Sequence, residues 1–273
     1  MTSPSIQDTA APRIVLQTDH PVALHSPDHL CPWGTRYDNS VNLRFNEKLE
    51  ALYPRSATGT MQVLDLGCSG GGFVKSILDR GGLGVGLEGS DYSLRHRRAE
   101  WRTIPEFLFT CDITKPFALA LNQREERTPL RFHVITAWEV MEHIAEQELP
   151  PLIENVKRHL RPDGLWIISV ASTDDIINGV NLHQTVKPRD WWIRLFSEHG
   201  LTALPAFETY FNTQYVRGPK YGAPSSFHLV LSASPADAPR APRPRLLERV
   251  YDRWLGSARQ RRIARWIMGP ASA

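Results

Sequence analysis

Only three cysteines occur in 273 residues, Cys31, Cys68 and Cys111, an odd number at wide spacing with no C-x-x-C pair. That excludes a disulfide framework and a thiolate metal knuckle, and it predicts a reducing, cytoplasmic setting. Long apolar runs are missing as well. The N-terminal stretch is polar and proline-containing, with Ile14-Val15-Leu16 as its longest aliphatic run, so it lacks the apolar centre of a secretory signal. Nothing elsewhere approaches the ~20 apolar residues of a membrane span. The chain therefore reads as soluble, or at most peripheral to a membrane. No internal repeat is present. A basic surplus is also absent from most of the chain: nine of the 32 basic residues and three of the 29 acids lie in 235–273, leaving 23 basic and 26 acidic residues before them. Such a body lacks the basic face with which proteins follow a nucleic-acid backbone, which argues against nucleic-acid partners except through the tail. Length allows one sizeable α/β domain with residues left over for appendages.

The most informative stretch present is Val63-Leu64-Asp65-Leu66-Gly67-Cys68-Ser69-Gly70-Gly71-Gly72-Phe73, an apolar run that ends on an acid and breaks into glycines before a helical pattern. Glycines let the backbone curl tightly and approach a ligand, and the following helix offers unpaired N–H groups and its positive end. The acid beside the loop argues against a phosphate. Dinucleotide sites place a pyrophosphate against G-x-G-x-x-G and keep their acid about 20 residues further on, whereas Asp65 lies two residues before the first glycine. A nicotinamide oxidoreductase is disfavoured on that ground, and a ligand carrying an ammonium group fits better.

This loop resembles the first motif of the class I methyltransferases, acid-x-Gly-x-Gly-x-Gly after the first strand. Other residues carry the resemblance further. Gly84-Val85-Gly86-Leu87-Glu88 is similar to the second strand with its ribose-binding acid, 21 residues after Gly67. Thr110-Cys111-Asp112-Ile113 resembles the third strand and the acid facing adenine. Phe132 to Ile144 and Leu160 to Ser169 resemble the fourth-strand motif and the turn into the fifth. The resemblance implies S-adenosyl-L-methionine as cofactor, held by Asp65, Gly67, Ser69, Gly70, Glu88 and Asp112. Ser69 departs from the pattern, standing where the family usually has its second glycine. A side chain there either contacts the cofactor or forces a shifted turn, since a non-glycine residue with positive φ is uncommon. Trp138, just past the fourth strand, lies against the cofactor or in the core.

The alternation of patterns predicts an α/β fold, a parallel sheet with helices on both faces; the resemblance implies that the sheet is Rossmann-like, seven-stranded and mostly parallel, and an N-terminal helical arm and a C-terminal basic amphipathic helix flank it. Strands are expected near 62–66, 83–88, 107–111, 132–137 and 164–170, with helices near 72–80, 92–101, 146–160 and 188–199. Extended runs at Phe207–Phe211 and Phe227–Ser232 fit the last two strands that the resemblance implies, one of them antiparallel. The organisation reads as a flexible arm over 1–36, a methyltransferase domain over 37–234, and a Pro-rich linker with a basic helix over 235–273. Within the arm, residues 1 to about 30 show no sustained period and should be loosely ordered. Asp38-Asn39-Ser40 then caps a helix carrying Val41, Phe45, Leu49 and Leu52, stopped by Pro54. That helix covers either the ligand site or one sheet face. In the tail, Leu246, Leu247, Val250, Tyr251, Trp254, Leu255, Ile263, Trp266 and Ile267 form an apolar stripe with Arg on the other faces. The stripe either packs on the body or meets a membrane surface or a partner protein.

Methyl transfer needs an aligned acceptor and, for oxygen, a base. His143, after the fourth strand, and His183, in the connection after the fifth, are the catalytic candidates, because a pKa near about 6.5 suits proton acceptance; the bland reading makes each a loop-shaping histidine. Glu139, Glu142, His143 and distant His183 also resemble the set with which small-RNA 2′-O-methyltransferases hold a divalent metal. Similar wording occurs in metal-free relatives, and no metal ligand is assigned. Lys187-Pro188-Arg189-Asp190-Trp191-Trp192 either lines the acceptor pocket or packs on the sheet. The expected activity is O-methylation of a small molecule or glycan. Metal-assisted RNA 2′-O-methylation and a non-catalytic cofactor-binding scaffold are the alternatives.

Overall fold

The computed structural model describes residues 13–123 and 126–254. From Gln62 onward strands and helices alternate. β1 (Gln62–Leu66), β2 (Leu83–Glu88), β3 (Leu108–Thr110), β4 (Phe132–Trp138), β5 (Leu160–Ala171), β6 (Thr202–Ala203) and β7 (Ser226–Ser232) form one seven-stranded sheet. Its order is β6-β7-β5-β4-β1-β2-β3. The five strands from β5 to β3 run parallel, while β7 is antiparallel to both β5 and β6. The chain begins in the middle of the sheet, steps outward to β3, and returns to β4 on the other side of β1. Strand order thus reverses between β1 and β4, where such sheets open a crevice at their carboxyl ends.

Strand alternation supplies the two layers. Leu64, Leu66, Val85, Leu87, Ile135 and Trp166 pack with α3 (Leu149–His159) and α4 (Arg189–Glu198) on one face. Val63, Val134, Leu165, Ile167 and Val230 pack with α1 (Leu43–Leu52), α2 (Gly72–Leu78) and α5 (Pro205–Phe211) on the other. Near-continuous apolar strands are what a sheet covered on both faces requires.

Four local readings need correction. Residues 207–211 are helix α5 rather than a strand: Phe207, Tyr210 and Phe211 sit at i, i+3 and i+4, and Pro205 occupies the first helical turn, where its missing N–H costs nothing. The short β6 supplies the sixth strand instead. Residues 92–101 are a single turn at Tyr92–Arg95 and a 3-10 turn at Ala99–Arg102, interrupted by left-handed Arg97 and Ala99 (φ 47° and 44°). The cap of α1 is Asn42, whose side chain accepts from Arg44 N and Phe45 N at 3.1 and 3.3 Å, so Asp38-Asn39-Ser40 is free for other contacts. Finally, Arg13–Thr18 is a strand where composition predicts looseness. It pairs antiparallel with Phe117–Gln123, which pairs in turn with Glu126–Pro129, making a small sheet inserted between β3 and β4. Phe117 and Leu119 from that sheet are buried in the core beside α3. Among the described residues no helix is long and apolar enough to cross a membrane.

Candidate active site

β1 turns into α2 through Gly67-Cys68-Ser69-Gly70-Gly71, and three of these residues are left-handed: Gly67 at φ 71°, Ser69 at 48° and Gly71 at 83°. The turn is anchored on the neighbouring strand, Gly67 N and Cys68 N both donating to Leu87 O at 2.8 and 3.0 Å. Space permits only glycine at two of its positions. A Cβ on Gly67 would lie 2.4 Å from Val140 Cγ2, and one on Gly70 would lie 2.4 Å from Asn39 Oδ1.

Ser69 keeps its unusual conformation because every polar atom it has is engaged. Its N–H donates to Glu88 Oε2 at 2.7 Å, its carbonyl accepts from Trp101 Nε1 at 2.7 Å, and its hydroxyl donates to Asp38 O at 2.9 Å while accepting from Arg98 Nη2 at 2.9 Å. Four hydrogen bonds outweigh the roughly 1–3 kcal/mol that a non-glycine residue incurs there. The serine therefore preserves the expected turn rather than displacing it.

The second acid, Glu88, is buried at the tip of β2. Beyond the Ser69 amide it accepts from Ser90 N at 3.2 Å and from the Thr35 hydroxyl at 3.3 Å. Burial raises its pKa, and these hydrogen bonds oppose the shift. Asp65 lies one strand over, buried, with Oδ1 accepting from Thr136 Oγ1 at 2.6 Å. Burial lifts its pKa to about 8; the Thr136 bond opposes that, and the nearby charges of Asp38 and Glu88 add to it. Asp112, past β3, accepts from the N–H and hydroxyl of Thr114 at 3.0 and 2.7 Å.

Residues before α1 cross the tips of these strands, which local pattern did not reveal. Asp112 N donates to His20 O and Ala23 N to Gly89 O, each at 2.9 Å. Asn39 Oδ1 accepts from Gly72 N at 2.7 Å, capping α2 from a distance. Thr35, Asp38, Asn39, Arg98 and Trp101 all contact the glycine turn, and only Asp38 and Asn39 carried a sequence signal, which pointed to the wrong helix. Trp138 packs among aromatic side chains. Its ring meets Phe45, Phe73 and Tyr215 at centroid distances of 5.2, 6.2 and 6.3 Å, a core placement, and its buried indole N–H has no hydrogen-bond partner.

His143 and His183, 40 residues apart in sequence, come together with ring centroids 4.7 Å apart in an edge-on arrangement. His143 Nδ1 lies 2.8 Å from Asp28 Oδ2. Burial works against its charge, but Asp28, with Glu142 and Glu139 behind it, prevails and lifts its pKa to about 9. For His183 burial wins and lowers the pKa. Its Nδ1 contacts Thr173 O at 2.5 Å, and a carbonyl only accepts, so Nδ1 carries the proton and Nε2 keeps a lone pair. Beneath them Glu142 is fully buried; one oxygen accepts from Ala171 N at 3.0 Å and the other has no hydrogen-bond partner. Glu139, left-handed at φ 54°, accepts from Ser226 Oγ through one oxygen and leaves the other buried and unpaired. Ligand-type atoms of Glu142, His143 and His183 all lie within 4.8 Å of one another, near enough to share a metal ion. The Lys187–Trp192 segment is engaged elsewhere: Lys187 pairs with Glu146 and Arg189 with Glu208, while Trp192 is buried in the core.

A strand-order switch crossed by a glycine turn, with carboxylates at three successive strand tips, defines an α/β protein of Rossmann-like class. The chain belongs to the methyltransferase domain family, whose profile matches residues 37–210. It is similar to DhpI in complex with SAH, at 10% identity, with 80% of this chain and 100% of that chain covered and a TM-score of 0.47. PH0226 from Pyrococcus horikoshii OT3 is similar at 18% identity, with 75% and 98% covered and a TM-score of 0.48. The glycopeptide N-methyltransferase MtfA with sinefungin is similar at 16% identity, with 68% and 93% covered and a TM-score of 0.40. No curated protein matches the chain.

Proposed function

We propose that this chain transfers a methyl group from S-adenosyl-L-methionine to an oxygen of a small-molecule or glycan acceptor, with 37–234 as the working domain and 1–36 and 235–273 as its appendages. The observation that carries this reading is the buried Glu88 carboxylate, hydrogen-bonded to the left-handed Ser69 amide at 2.7 Å. It joins the glycine turn to the tip of β2, so one carboxylate would serve both the amino-acid and the nucleoside ends of a bound cofactor. Its 3.2–3.3 Å bonds to Ser90 and Thr35 are long enough for ribose hydroxyls to compete with them. Asp65 and the 67–70 backbone would hold the amino-acid end, and Asp112 the adenine. Bound there, the cofactor supplies a methyl already activated by its sulfonium charge. The protein's own part is to align the acceptor in a water-poor crevice, a contribution of ~7–11 kcal/mol when geometry is right.

Of the two catalytic candidates, His183 is the better base: its Nε2 is free, and burial favours the neutral ring. His143, held cationic by Asp28, would orient it or meet a negative charge on the acceptor. The body's slight acidity supports a small or glycan acceptor over a nucleic acid. The proposal is tested by incubating the protein with methyl-labelled cofactor and acceptor panels and locating the label by mass spectrometry. Replacing His183 with Asn is expected to lower turnover 10²–10⁴-fold while leaving cofactor affinity unchanged; equal turnover would remove His183 from the chemistry.

One observation favours a second reading. The unpaired Glu142 oxygen beside two imidazoles is a donor set suited to Mg²⁺ or Mn²⁺. With a metal there, His183 would be a ligand rather than a base, as in metal-assisted 2′-O-methylation of RNA. Activity abolished by chelator and restored by Mn²⁺ would favour it; chelator-resistant turnover would rule it out.

A further inference from the structure

α6 (Leu246–Trp254) attaches to the body by the face that charge patterning would assign to solvent. Asp252, 0% exposed, pairs with Arg44 Nε at 2.9 Å and with Lys48 Nζ, itself 2% exposed, at 2.8 Å. Glu248, one turn earlier, accepts from Arg44 Nη2 at 2.8 Å. The helix end is fastened through Asp252 O, which accepts from Thr213 Oγ1 at 2.9 Å and also from Gln214 and Lys220. With Glu248 and Asp252 turned inward at i and i+4, Leu247, Val250, Tyr251 and Trp254 fall on the outer side. They stay 83%, 58%, 50% and 61% exposed, and Leu246 stays 76% exposed. Arg249 and Arg253 are exposed at i and i+4 along the same helix, and Arg245, just before it, is exposed as well.

We propose that this outward face of α6 is a docking surface for an anionic phospholipid bilayer. The inference is independent of the methyl-transfer reading. A helix on a globular body ordinarily turns its apolar stripe inward. Here buried ion pairs hold it the other way round, so the apolar row is presented rather than stored. A tryptophan and aliphatic side chains interleaved with arginines suit the boundary between acyl chains and anionic headgroups. Charge selects among possible occupants. In a symmetric pairing of two copies each arginine row would meet its own like charge. The phosphates of a nucleic acid would satisfy the arginines but leave Leu246, Leu247 and Val250 unburied. An anionic bilayer satisfies both. The 213–221 segment that fastens α6 also carries Arg217, which pairs with Asp38 at 3.1 Å, and Asp38 O in turn accepts from Ser69. A membrane reached through α6 would therefore lie near the cofactor turn.

The test is flotation of the full chain with phosphatidylcholine vesicles and with phosphatidylcholine–phosphatidylglycerol vesicles, alongside sedimentation velocity and thermal melts. Binding is expected only to the phosphatidylglycerol vesicles, and it should weaken as salt is added. Leu247→Glu or Trp254→Glu should each reduce it about tenfold or more, and Arg249→Gln or Arg253→Gln roughly fivefold each, with melting temperature and cofactor affinity unaltered. Three results would overturn the proposal: no flotation with either vesicle, binding unmoved by Leu247→Glu, or a dimer that Leu247→Glu dissociates. A drop in melting temperature for Leu247→Glu would also overturn it, since the face would then be covered by the chain itself.

Discussion

Ser69 concentrates the local chemistry of the site, engaging Glu88, Asp38, Arg98 and Trp101 at once from a backbone conformation that glycine would adopt freely. Its bonds explain why one buried acid governs so much. Replacing Glu88 with Ala removes the acceptors proposed for two ribose hydroxyls and should weaken cofactor binding by about 1.5–3 kcal/mol, as read by titration calorimetry. Asp65 makes a different forecast, because its folded pKa is raised to about 8, with burial the largest cause. An acid with a raised folded pKa favours the folded state fully only below its unfolded value of about 3.9, and that advantage drains away as pH climbs toward the folded value. Asp65→Asn keeps the shape without the charge. Cofactor-free melts should therefore show the variant more stable than the parent at pH 8, with the gap narrowing toward pH 5. A constant gap would mean that Asp65 ionises freely in the fold. These acids, with Gly67 and Gly70, were legible in the sequence because each closes a strand pattern. Thr35, Arg98 and Trp101 were not, since nothing local marks a residue whose partner lies about 30 or more positions away.

Elements show the limits of pattern reading more sharply than residues do. Spacing predicted α1 to α4, yet Phe207–Phe211, read as extended because it fitted the place of the family's last strands, is α5. In α6 the stripe itself was legible but its direction was not, because Asp252 reaches two cations on α1, more than 200 positions away. Breaking that buried pair by Asp252→Ala strands Lys48 and should cost about 3–5 kcal/mol in denaturant melts. The double change Lys48→Met with Asp252→Leu should recover most of the loss. If the single change cost under about 1 kcal/mol, α6 would be held by something other than these ions.

At the scale of the molecule, the parallel core of the sheet follows from the alternation of strands and helices, joined by the right-handed crossovers that parallel strands demand. The small sheet of Arg13–Thr18, Phe117–Gln123 and Glu126–Pro129 does not. Its hairpin interrupts the regular alternation between β3 and β4, and its third strand comes from the far N-terminus. Ile14 and Leu16 pack against the core through it. Removing residues 1–18 should lower stability by roughly 2–4 kcal/mol in denaturant melts, through lost apolar burial. Residues 20–39, which cross the strand tips, would remain. An unchanged midpoint would show that the strand adds nothing to the fold.

By itself the sequence determined the parallel strands and the acids at their tips, because strand period, glycine turns and chain direction are all written within a few residues of one another. Only the tertiary structure decided that His143 and His183 share one corner, that the N-terminal segment closes over the glycine turn, and that α6 faces outward. Those outcomes rest on side chains meeting across long loops, where the free energy belongs to a pair and neither partner's neighbourhood reports it.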